Sequence, residues 1–466
     1  MTLNDILEKL DRHQVTLWKE GDRLRVRAPK GVLTPELQSL LRDRKSELLE
    51  FLHQNNGSVG DESIDLSTEA VLDPDIVPQG RDRALEQPPT AILLTGATGF
   101  LGAFLLPELL QQSEATIYCL VRSPDPSSAR MRIQKNLAFY HLWNTSFDSR
   151  IVPVLGDITK PQLGLSAEEF GSLSNEIDSI YHSAATLNYL YSYSKLKASN
   201  VIGTREVIKF ACQGKTKPLH YISSVVVFEG LAYAGKTVLE TDDPQSSEGI
   251  YLGYSQSKWV AERLVTMARD RGLPVNIYRL PFISGHSQTG IGNTDDLACR
   301  LIKGYIQMGS IPDLDDLVDL CPVDYASQAI AYLSLQKNSI DRAFHLNNPY
   351  PCPRQNLVDY IRSRGYDLEQ LPYQQWQQQL KAVSSSQQNS LSPLLPFFSK
   401  RWSEKQLTIP EFYEQAWKPQ IDCQATMEAL KNSAIACPPA DKKLLDTYFS
   451  YFIDSGFIEA PTNNHH

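Results

Sequence analysis

The chain contains 466 residues, 42% hydrophobic and 21% charged, which favours two or three globular domains. Its net charge of −9 argues against sequence-independent nucleic-acid binding, and its seven cysteines, which include no Cys-x-x-Cys pair, argue against a disulfide framework or a metal site. The charged N-terminus lacks an apolar signal core and no apolar run is long enough to span a bilayer, so we expect a cytoplasmic protein that does not enter membranes.

Residues 1 to 54 are expected to form a small α+β module. Apolar residues alternate with polar ones on both sides of Glu20-Gly21-Asp22, which predicts a hairpin, and Thr34-Pro35-Glu36 is typical of a helix start. Through Val15-Thr-Leu-Trp-Lys-Glu-Gly-Asp-Arg-Leu-Arg-Val-Arg-Ala-Pro-Lys-Gly and Lys45-Ser-Glu-Leu-Leu, the module resembles the tubulysin-type N-terminal docking domains of assembly-line synthases. The resemblance implies docking onto an upstream synthase protein. The alternative is a mini-domain with a leucine core.

Residues 55 to 89 have the composition of a linker. They are rich in Ser, Asp, Glu and Pro, and all the charges between Asp61 and Asp75 are acidic. We expect this linker to be extended and partly mobile. It contains no Gly-Gly-x-Ser carrier signature, so the chain is expected to lack a carrier protein of its own.

A nucleotide-binding fingerprint opens the main domain, residues 90 to 350. The apolar run from Ala91 to Leu94 predicts a buried strand, and a leucine-rich helical pattern follows it. Between them, Gly96 permits a tight turn, Gly99 lets backbone approach a pyrophosphate, and Gly102 lets the helix pack on the strand. The free N–H groups of the helix N-terminus would face the phosphates. The predicted cofactor contacts here are Gly96, Thr98, Gly99, Phe100, Leu101 and Gly102.

Strand and helix patterns alternate from residue 91, which predicts a Rossmann-type, doubly wound parallel sheet. The second strand ends at Arg122, where an NAD-preferring site would carry Asp or Glu. A guanidinium there suits the 2′-phosphate of NADPH, and Arg132 follows in the next helix. The alternative for this pair is a solvated basic face.

The ends of the next strands supply further candidate cofactor contacts. The third strand ends at Asp157 and Ile158, placed to meet adenine, and the fourth ends at the small residues Ser183, Ala184 and Ala185. Asn200 opens the following helix, where it either caps or kinks that helix or supports a catalytic lysine. His182, at the end of a buried strand, is interpreted as structural.

The fifth strand delivers Ser223 and Ser224, and Tyr254 and Lys258 follow about thirty residues later. Their spacing of four places both side chains on one helix face. A Tyr-x-x-x-Lys pair alone is a common accident. After a nucleotide fingerprint and at this strand-to-helix position, it predicts an extended short-chain dehydrogenase/reductase.

Four segments carry a closer resemblance: Thr95-Gly-Ala-Thr-Gly-Phe-Leu-Gly, Leu120-Val-Arg122, Gly253-Tyr-Ser-Gln-Ser-Lys-Trp-Val-Ala-Glu and Tyr278-Arg-Leu-Pro-Phe-Ile-Ser-Gly-His-Ser-Gln-Thr-Gly. They resemble the thioester reductase domains of nonribosomal peptide and polyketide synthases. The stretch from Ile64 to Ile76 is similar to the leader of such domains, and the match runs from about residue 64 to 376. Two positions depart from the family: Ser224 replaces a usual Thr, and Leu280-Pro281 replaces a usual Pro-Gly.

The resemblance implies NADPH-dependent release of an acyl or peptidyl thioester from the phosphopantetheine arm of a carrier protein. Ser224 and Tyr254 would hydrogen-bond the carbonyl oxygen, and Lys258 would bind the ribose and lower the pKa of Tyr254. The loop of Pro281, Phe282 and Ile283 would contact the cofactor. The product is an aldehyde, and further reduction to the alcohol is left open. Insertions after residue 285 and a mostly helical subdomain, residues 351 to 466, would bind substrate.

Three alternatives compete with this interpretation. A nucleotide-sugar epimerase or dehydratase of the same fold would use NAD and would carry an acidic residue in place of Arg122. A catalytically silent relative would not need Ser224, Tyr254 and Lys258 together. A stand-alone fatty acyl-thioester reductase would not need the docking-like N-terminus.

Overall fold

The computed structural model describes residues 15–20, 23–27, 64–78, 87–384, 389–402, 406–412 and 419–461, with a few positions between 37 and 48. The chain divides into two compact units, residues 1–60 and 61–466. In the first, β1 (Thr16–Glu20) and β2 (Arg23–Arg27) form an antiparallel hairpin where the alternating pattern predicted one. The predicted helix start at Thr34 lies outside the described residues.

Seven parallel strands form the main sheet of the second unit. The strands of this unit are β3 (Ala91–Thr95), β4 (Thr116–Val121), β5 (Ile151–Leu155), β6 (Ser179–His182), β7 (Leu219–Ser224), β8 (Thr237–Val238), β9 (Val275–Leu280), β10 (Ile283–Ser284), β11 (Ser310–Asp313), β12 (Leu317–Val318), β13 (Cys321–Pro322), β14 (Ala343–His345), β15 (Cys352–Pro353), β16 (Glu369–Pro372) and β17 (Gln420–Ile421). The sheet order is β14-β9-β7-β6-β3-β4-β5, which confirms the predicted doubly wound fold. The strand order reverses between β3 and β6, where such folds open a crevice for ligands.

Helices cover both faces of this sheet. The helices are α1 (Leu66–Glu69), α2 (Phe100–Gln112), α3 (Pro126–Phe139), α4 (Ala167–Glu176), α5 (Tyr193–Lys197), α6 (Gly203–Cys212), α7 (Gly253–Asp270), α8 (Leu297–Met308), α9 (Val323–Ser334), α10 (Arg354–Ser363), α11 (Tyr373–Ser384), α12 (Leu395–Ser399), α13 (Ile409–Phe412), α14 (Gln424–Leu430) and α15 (Lys442–Asp454). Ile92 and Leu94 of β3 pack in one core with α2, α3 and α9, whereas Ala91 and Leu93 pack in another with α4, α6 and α7. Because β3 is buried on both faces, its sequence is continuously apolar.

Short strand pairs join the C-terminal region to the rest of the second unit. β11 pairs with β16, β12 with β15, and β8 with β17. These pairs cross the boundary expected at residue 350, because each joins a segment before that residue to one after it. The region beyond residue 350 is therefore joined by strand pairing to residues 237–318 and does not form a separate unit. Among the described residues, no helix combines the length and the apolar character that a bilayer-spanning segment requires.

Part of the segment expected to be an extended linker is folded. Residues 64–78 belong to the second unit, and Leu66, Leu72 and Ile76 are buried in its core. The guanidinium of Arg271 donates to the backbone carbonyls of Leu72 (2.9 Å), Asp73 (2.7 Å) and Ile76 (2.9 Å). The acidic composition that suggested a linker belongs to the outer face of this segment, and a few apolar residues fix its inner face.

We expect Arg271→Ala to release residues 64–78 from the second unit. Hydrogen bonds to charged groups contribute about 1.5–3 kcal/mol each. Because Arg271 is only half-buried, water can replace part of the three that are lost, and the free energy of unfolding should fall by at least about 2–3 kcal/mol. Denaturant unfolding measures the loss, and limited proteolysis should show faster cleavage within residues 61–89. Arg263→Ala is the matched control, because Arg263 lies on α7, the helix that ends directly before Arg271, and its guanidinium makes a long contact with the side chain of Gln245, at 3.5 Å. Equal effects of the two substitutions would contradict this account.

Candidate active site

A backbone cradle forms where β3 ends at the crevice. Gly96 has a φ of +82°, and a Cβ there would lie 2.7 Å from the Ala184 nitrogen. A Cβ on Gly102 would lie 2.0 Å from the Gly96 oxygen. Only glycine fits either position, since L side chains rarely adopt the first conformation and the second contact is with backbone. The cradle thus keeps β3, β6 and α2 closer together than any side chain would allow.

The N-terminus of α2 opens onto this cradle. Gly99 is its N-cap and has no side chain that could cap the helix. The N–H groups of the first turn, which lack helical partners, are therefore suited to bind an anion. Asn136 of α3 braces the turn by donating to the carbonyls of Ala97 (3.3 Å) and Gly99 (3.2 Å). The Phe100 ring packs against Phe104 and Tyr140, which makes its side chain part of the core beside the turn. The cradle and the helix end fit the pyrophosphate of a dinucleotide.

Two guanidinium groups lie at the end of β4. Arg122 and Arg132 are exposed, and Arg132 Nη1 donates to the Arg122 carbonyl at 3.0 Å. The pKa of Arg132 is lowered by burial of part of its side chain and by the positive charge of Arg122. An anion between the two groups would relieve that repulsion.

The ends of β5 and β6 lie on the two sides of the fingerprint strand. Asp157 caps its own turn by accepting from the Thr159 backbone (2.9 Å) and hydroxyl (2.8 Å). Ile158 packs against Gly203, where a Cβ would lie 3.0 Å from its side chain. Ser183 and Ala184 follow β6, and their backbone N–H groups bond the Thr95 carbonyl (3.3 Å) and hydroxyl (3.2 Å). Ala185 is exposed.

His182 contacts two threonine hydroxyls in the core. Its Nδ1 lies 2.8 Å from Thr95 Oγ1, and its Nε2 lies 3.1 Å from Thr204 Oγ1. Burial lowers the pKa of His182 to about 3, so the imidazole is neutral at physiological pH. These contacts fit the structural role expected for this residue.

Asn200 lies in a π-helical turn, Ala198–Ile202, which joins α5 to α6. Its side chain bonds the Thr186 backbone in both directions, at 2.8 and 3.0 Å, and donates to Ser257 Oγ at 2.9 Å. π-turns inside helices occur frequently at functional sites. Asn200 therefore bridges the loop after β6 to α7, and its contact on α7 is the residue before Lys258 rather than the lysine itself.

Lys258 is buried in α7, with 3% of its surface exposed. Its Nζ donates to the Tyr221 hydroxyl (2.9 Å) and to the Ile222 carbonyl (2.8 Å), both on β7. Burial lowers the pKa of Lys258 to about 7, and the charge of Glu262 opposes that decrease. The two acceptors hold the amine against the carboxyl end of β7.

Tyr254 lies one turn before Lys258 and is 7% exposed. Its ring contacts that of Tyr189 at a centroid distance of 5.7 Å. Its pKa is raised by burial and then by the carboxylates of Asp296 and Glu229. The decrease of this pKa expected from Lys258 is not seen, because burial of the phenol dominates and the two carboxylates act in the same direction.

Ser224 ends β7 beside the loop predicted to contact the cofactor. Its hydroxyl donates to the Leu280 carbonyl at 3.0 Å, and Ser224 and Leu280 are register partners in the sheet. Pro281, Phe282 and Ile283 follow directly and are half-buried. Ser224 and this loop thus share the edge of the sheet where β7 and β9 end.

Several site residues carried no sequence signal. Tyr221 lies within a buried strand, and Asn136 lies within a polar helix. Tyr189 follows β6 in an irregular loop. Their roles depend on contacts between segments that are distant in sequence, which no local spacing encodes. Within the described residues, no group of three or more His, Cys, Asp or Glu side chains is arranged to hold a metal ion.

Comparison with protein families gives two matches. The family described as "Male sterility protein", an NAD-binding family, matches residues 94–330. The family described as "TubC N-terminal docking domain" matches residues 4–54. The second match confirms the resemblance carried by the Val15 and Lys45 segments.

Curated proteins similar to this chain are much longer than it. A protein of the linear gramicidin synthase of Brevibacillus parabrevis is 36% identical over 464 residues, which cover 96% of this chain and 9% of the relative. The L-2-aminoadipate reductase of Saccharomyces cerevisiae is 32% identical over 80% of this chain and 28% of the relative. The chain thus spans less than a third of either protein.

Solved structures match the second unit closely. The terminal R domain from the myxalamid PKS-NRPS biosynthetic pathway is 43% identical, with a TM-score of 0.80, and the match covers 86% of this chain and 100% of that domain. A thiolation-reductase di-domain from an archaeal nonribosomal peptide synthetase is 25% identical, with a TM-score of 0.65 and coverage of 81% and 78%.

Proposed function

Because the chain belongs to the Male sterility protein family, and within it to the terminal reductase domains of nonribosomal peptide and polyketide synthases, we propose that it reduces a carrier-bound thioester with NADPH. The acyl or peptidyl group leaves the phosphopantetheine arm of a carrier protein as an aldehyde. The observation that carries this proposal is the placement of Ser224, Tyr254 and Lys258 at the carboxyl edge of a sheet whose crevice has a dinucleotide cradle.

The glycine cradle would hold the pyrophosphate, and Lys258 would hold the nicotinamide ribose. When bound, the nicotinamide supplies the hydride to the thioester carbonyl carbon. The protein's part is to stabilise the negative charge that develops on the carbonyl oxygen. Hydroxyl donors aimed at such an oxygen in a buried site are usually the largest single contribution to catalysis. Tyr254 and Ser224 are the two hydroxyls that we assign to this role.

Tyr254 also donates the proton that neutralises the oxyanion. Burial and two carboxylates raise its pKa, so the phenol stays protonated until charge appears on the substrate. Its proton is then replaced through the ammonium of Lys258. The resulting hemithioacetal collapses to the aldehyde and the free pantetheine thiol.

We infer that Arg122 and Arg132 select NADPH over NADH. Both are exposed at the end of β4, and the mutual repulsion of their charges favours a phosphate between them. The first unit would bind a further partner besides the carrier protein, an upstream synthase protein, since residues 4–54 match a docking family.

The proposal as a whole is tested by offering the chain an acyl-loaded carrier protein and NADPH, with the product identified by mass spectrometry. The aldehyde, or the alcohol derived from it, together with free carrier thiol supports the proposal. Release of a carboxylic acid, or consumption of NADPH without loss of the acyl group, would rule it out.

Tyr254→Phe should abolish nearly all turnover while leaving NADPH binding intact. Removing one oxyanion donor typically costs about 10²–10³ in rate, and loss of the proton donor adds to this. Steady-state turnover gives the rate, and cofactor fluorescence gives the affinity. A variant that keeps more than about a tenth of wild-type turnover would contradict the assignment of Tyr254.

Arg122→Ala should weaken NADPH binding about tenfold or more and leave NADH binding nearly unchanged, because each charge-assisted bond contributes about 1.5–3 kcal/mol. Fluorescence titration with both cofactors measures the two affinities. Equal losses for NADPH and NADH would mean that Arg122 supports the fold without reading the phosphate.

Deletion of residues 1–54 should separate docking from catalysis. Tethering raises the local carrier concentration to about the millimolar range, so turnover of a partner-borne thioester at low micromolar concentration should fall about tenfold. Excess carrier should restore the rate, and turnover of a small soluble thioester should be nearly unchanged. A truncated protein that is inactive toward the small thioester would instead make residues 1–54 a capping part of the reductase.

A further inference from the structure

A buried carboxylate lies one helical turn after Lys258. Glu262 and Arg279 are both fully buried, and Arg279 Nε donates to Glu262 Oε1 at 2.9 Å. Ser223, on β7, donates its hydroxyl to the other oxygen of Glu262. Arg279 extends the network through His345 Nε2, at 3.0 Å from its Nη1. The network joins α7, β7, β9 and β14 beneath the candidate active site.

Stability alone does not account for this arrangement. Burying two charges costs more desolvation energy than their attraction commonly returns, and an apolar pair of similar volume is often as stable. The position of the carboxylate suggests another role. Its contact Ser223 lies between Ile222, whose carbonyl accepts from Lys258, and Ser224, so Glu262 is held at the same strand end as the lysine.

Glu262 is a charged neighbour of Lys258, whereas two other neighbouring side chains are neutral. The titratable groups around Lys258 include His182 on β6, Tyr221 on β7 and Glu262 on its own helix, and Glu262 is itself paired with the Arg279 guanidinium. Burial lowers the pKa of His182 to about 3 and raises that of Tyr221 well above its usual value, so both are neutral near pH 7. Burial likewise disfavours the ammonium of Lys258, and the Glu262 carboxylate opposes this.

We propose that Glu262 is a positioning residue of the thioester reduction, held by Ser223 and Arg279 so that its charge keeps Lys258 in the ammonium form. The inference rests on the proposed function, because Lys258 must be charged to bind the ribose and to resupply the proton of Tyr254. Glu262 touches neither substrate nor cofactor and acts only through the lysine.

The test is the pH dependence of Glu262→Gln, which keeps the shape of the side chain and removes its charge. Without the carboxylate the pKa of Lys258 falls further, so activity should be lost at lower pH as the solution is made alkaline. We expect the midpoint of the alkaline decrease in kcat/KM to move to a pH about one unit lower. At pH values above that midpoint, kcat/KM should then be about tenfold lower than in the wild-type protein. The midpoint for NADPH binding, measured by cofactor fluorescence without substrate, should move in parallel.

Two further variants keep the test decisive. Glu262→Gln leaves Arg279 with only the more distant carboxylate of Asp243, at 3.8 Å. The double variant Glu262→Gln/Arg279→Gln, which removes both charges, is therefore measured beside it and should show a displacement in the same direction. Asp178→Asn is the matched control: its carboxylate binds Thr90 and Lys215 at the opposite, amino edge of the sheet. It should lower the melting temperature without moving either pH midpoint.

The outcomes separate this inference from the proposed function. If the wild-type protein reduces the thioester and a folded Glu262 variant keeps the wild-type pH profile, the positioning role is wrong and the proposed function stands. If the wild-type protein binds NADPH but reduces no thioester, the proposed function fails. In that case the NADPH-binding midpoint still decides whether Glu262 controls the charge of Lys258.

Discussion

The candidate active site depends on one amine that is buried inside the protein. Lys258 is almost fully buried, and two acceptors on β7 replace the water that its amine loses. Burial of a cation is costly unless its partners are fixed, so β7 and α7 must keep one relative position. Asn200 reinforces this by joining the loop after β6 to Ser257 on α7. Because these contacts fix the position of α7, Tyr254, one turn before the lysine, also has a defined position.

Much of the second unit could be predicted from sequence because its signals are local. Glycines at 96, 99 and 102 predict a tight turn, which excludes a side chain at 96 and 102, and the fold confirms the strand and helix on either side of it. The four-residue spacing of Tyr254 and Lys258 fixes their shared face on any helix. Each of these patterns is complete within a short window, so it keeps its meaning without knowledge of the tertiary structure.

The contacts that support the site could not be predicted in the same way. Tyr221 is an ordinary strand residue until α7 packs on it, and Arg279 meets Glu262 only because β9 lies next to β7. The prediction of a linker over residues 55–89 fails at residues 64–78 for a related reason. The composition of this stretch is that of a linker, but its backbone carbonyls turn toward Arg271, almost two hundred residues away.

The C-terminal region supports α7 at two points along its length. At the start of α7, Tyr251 packs between Trp402 and Phe412, at centroid distances of 5.7 and 5.1 Å, and Gly253 lies where a Cβ would be 2.4 Å from the Tyr191 oxygen. Farther along α7, the network of Glu262 and Arg279 reaches His345, whose Nδ1 lies 2.6 Å from the Asp422 carbonyl. Tyr254 lies between these two anchors. A change in the packing of the C-terminal region would therefore act on the helix that carries Tyr254, so this region supports the candidate site.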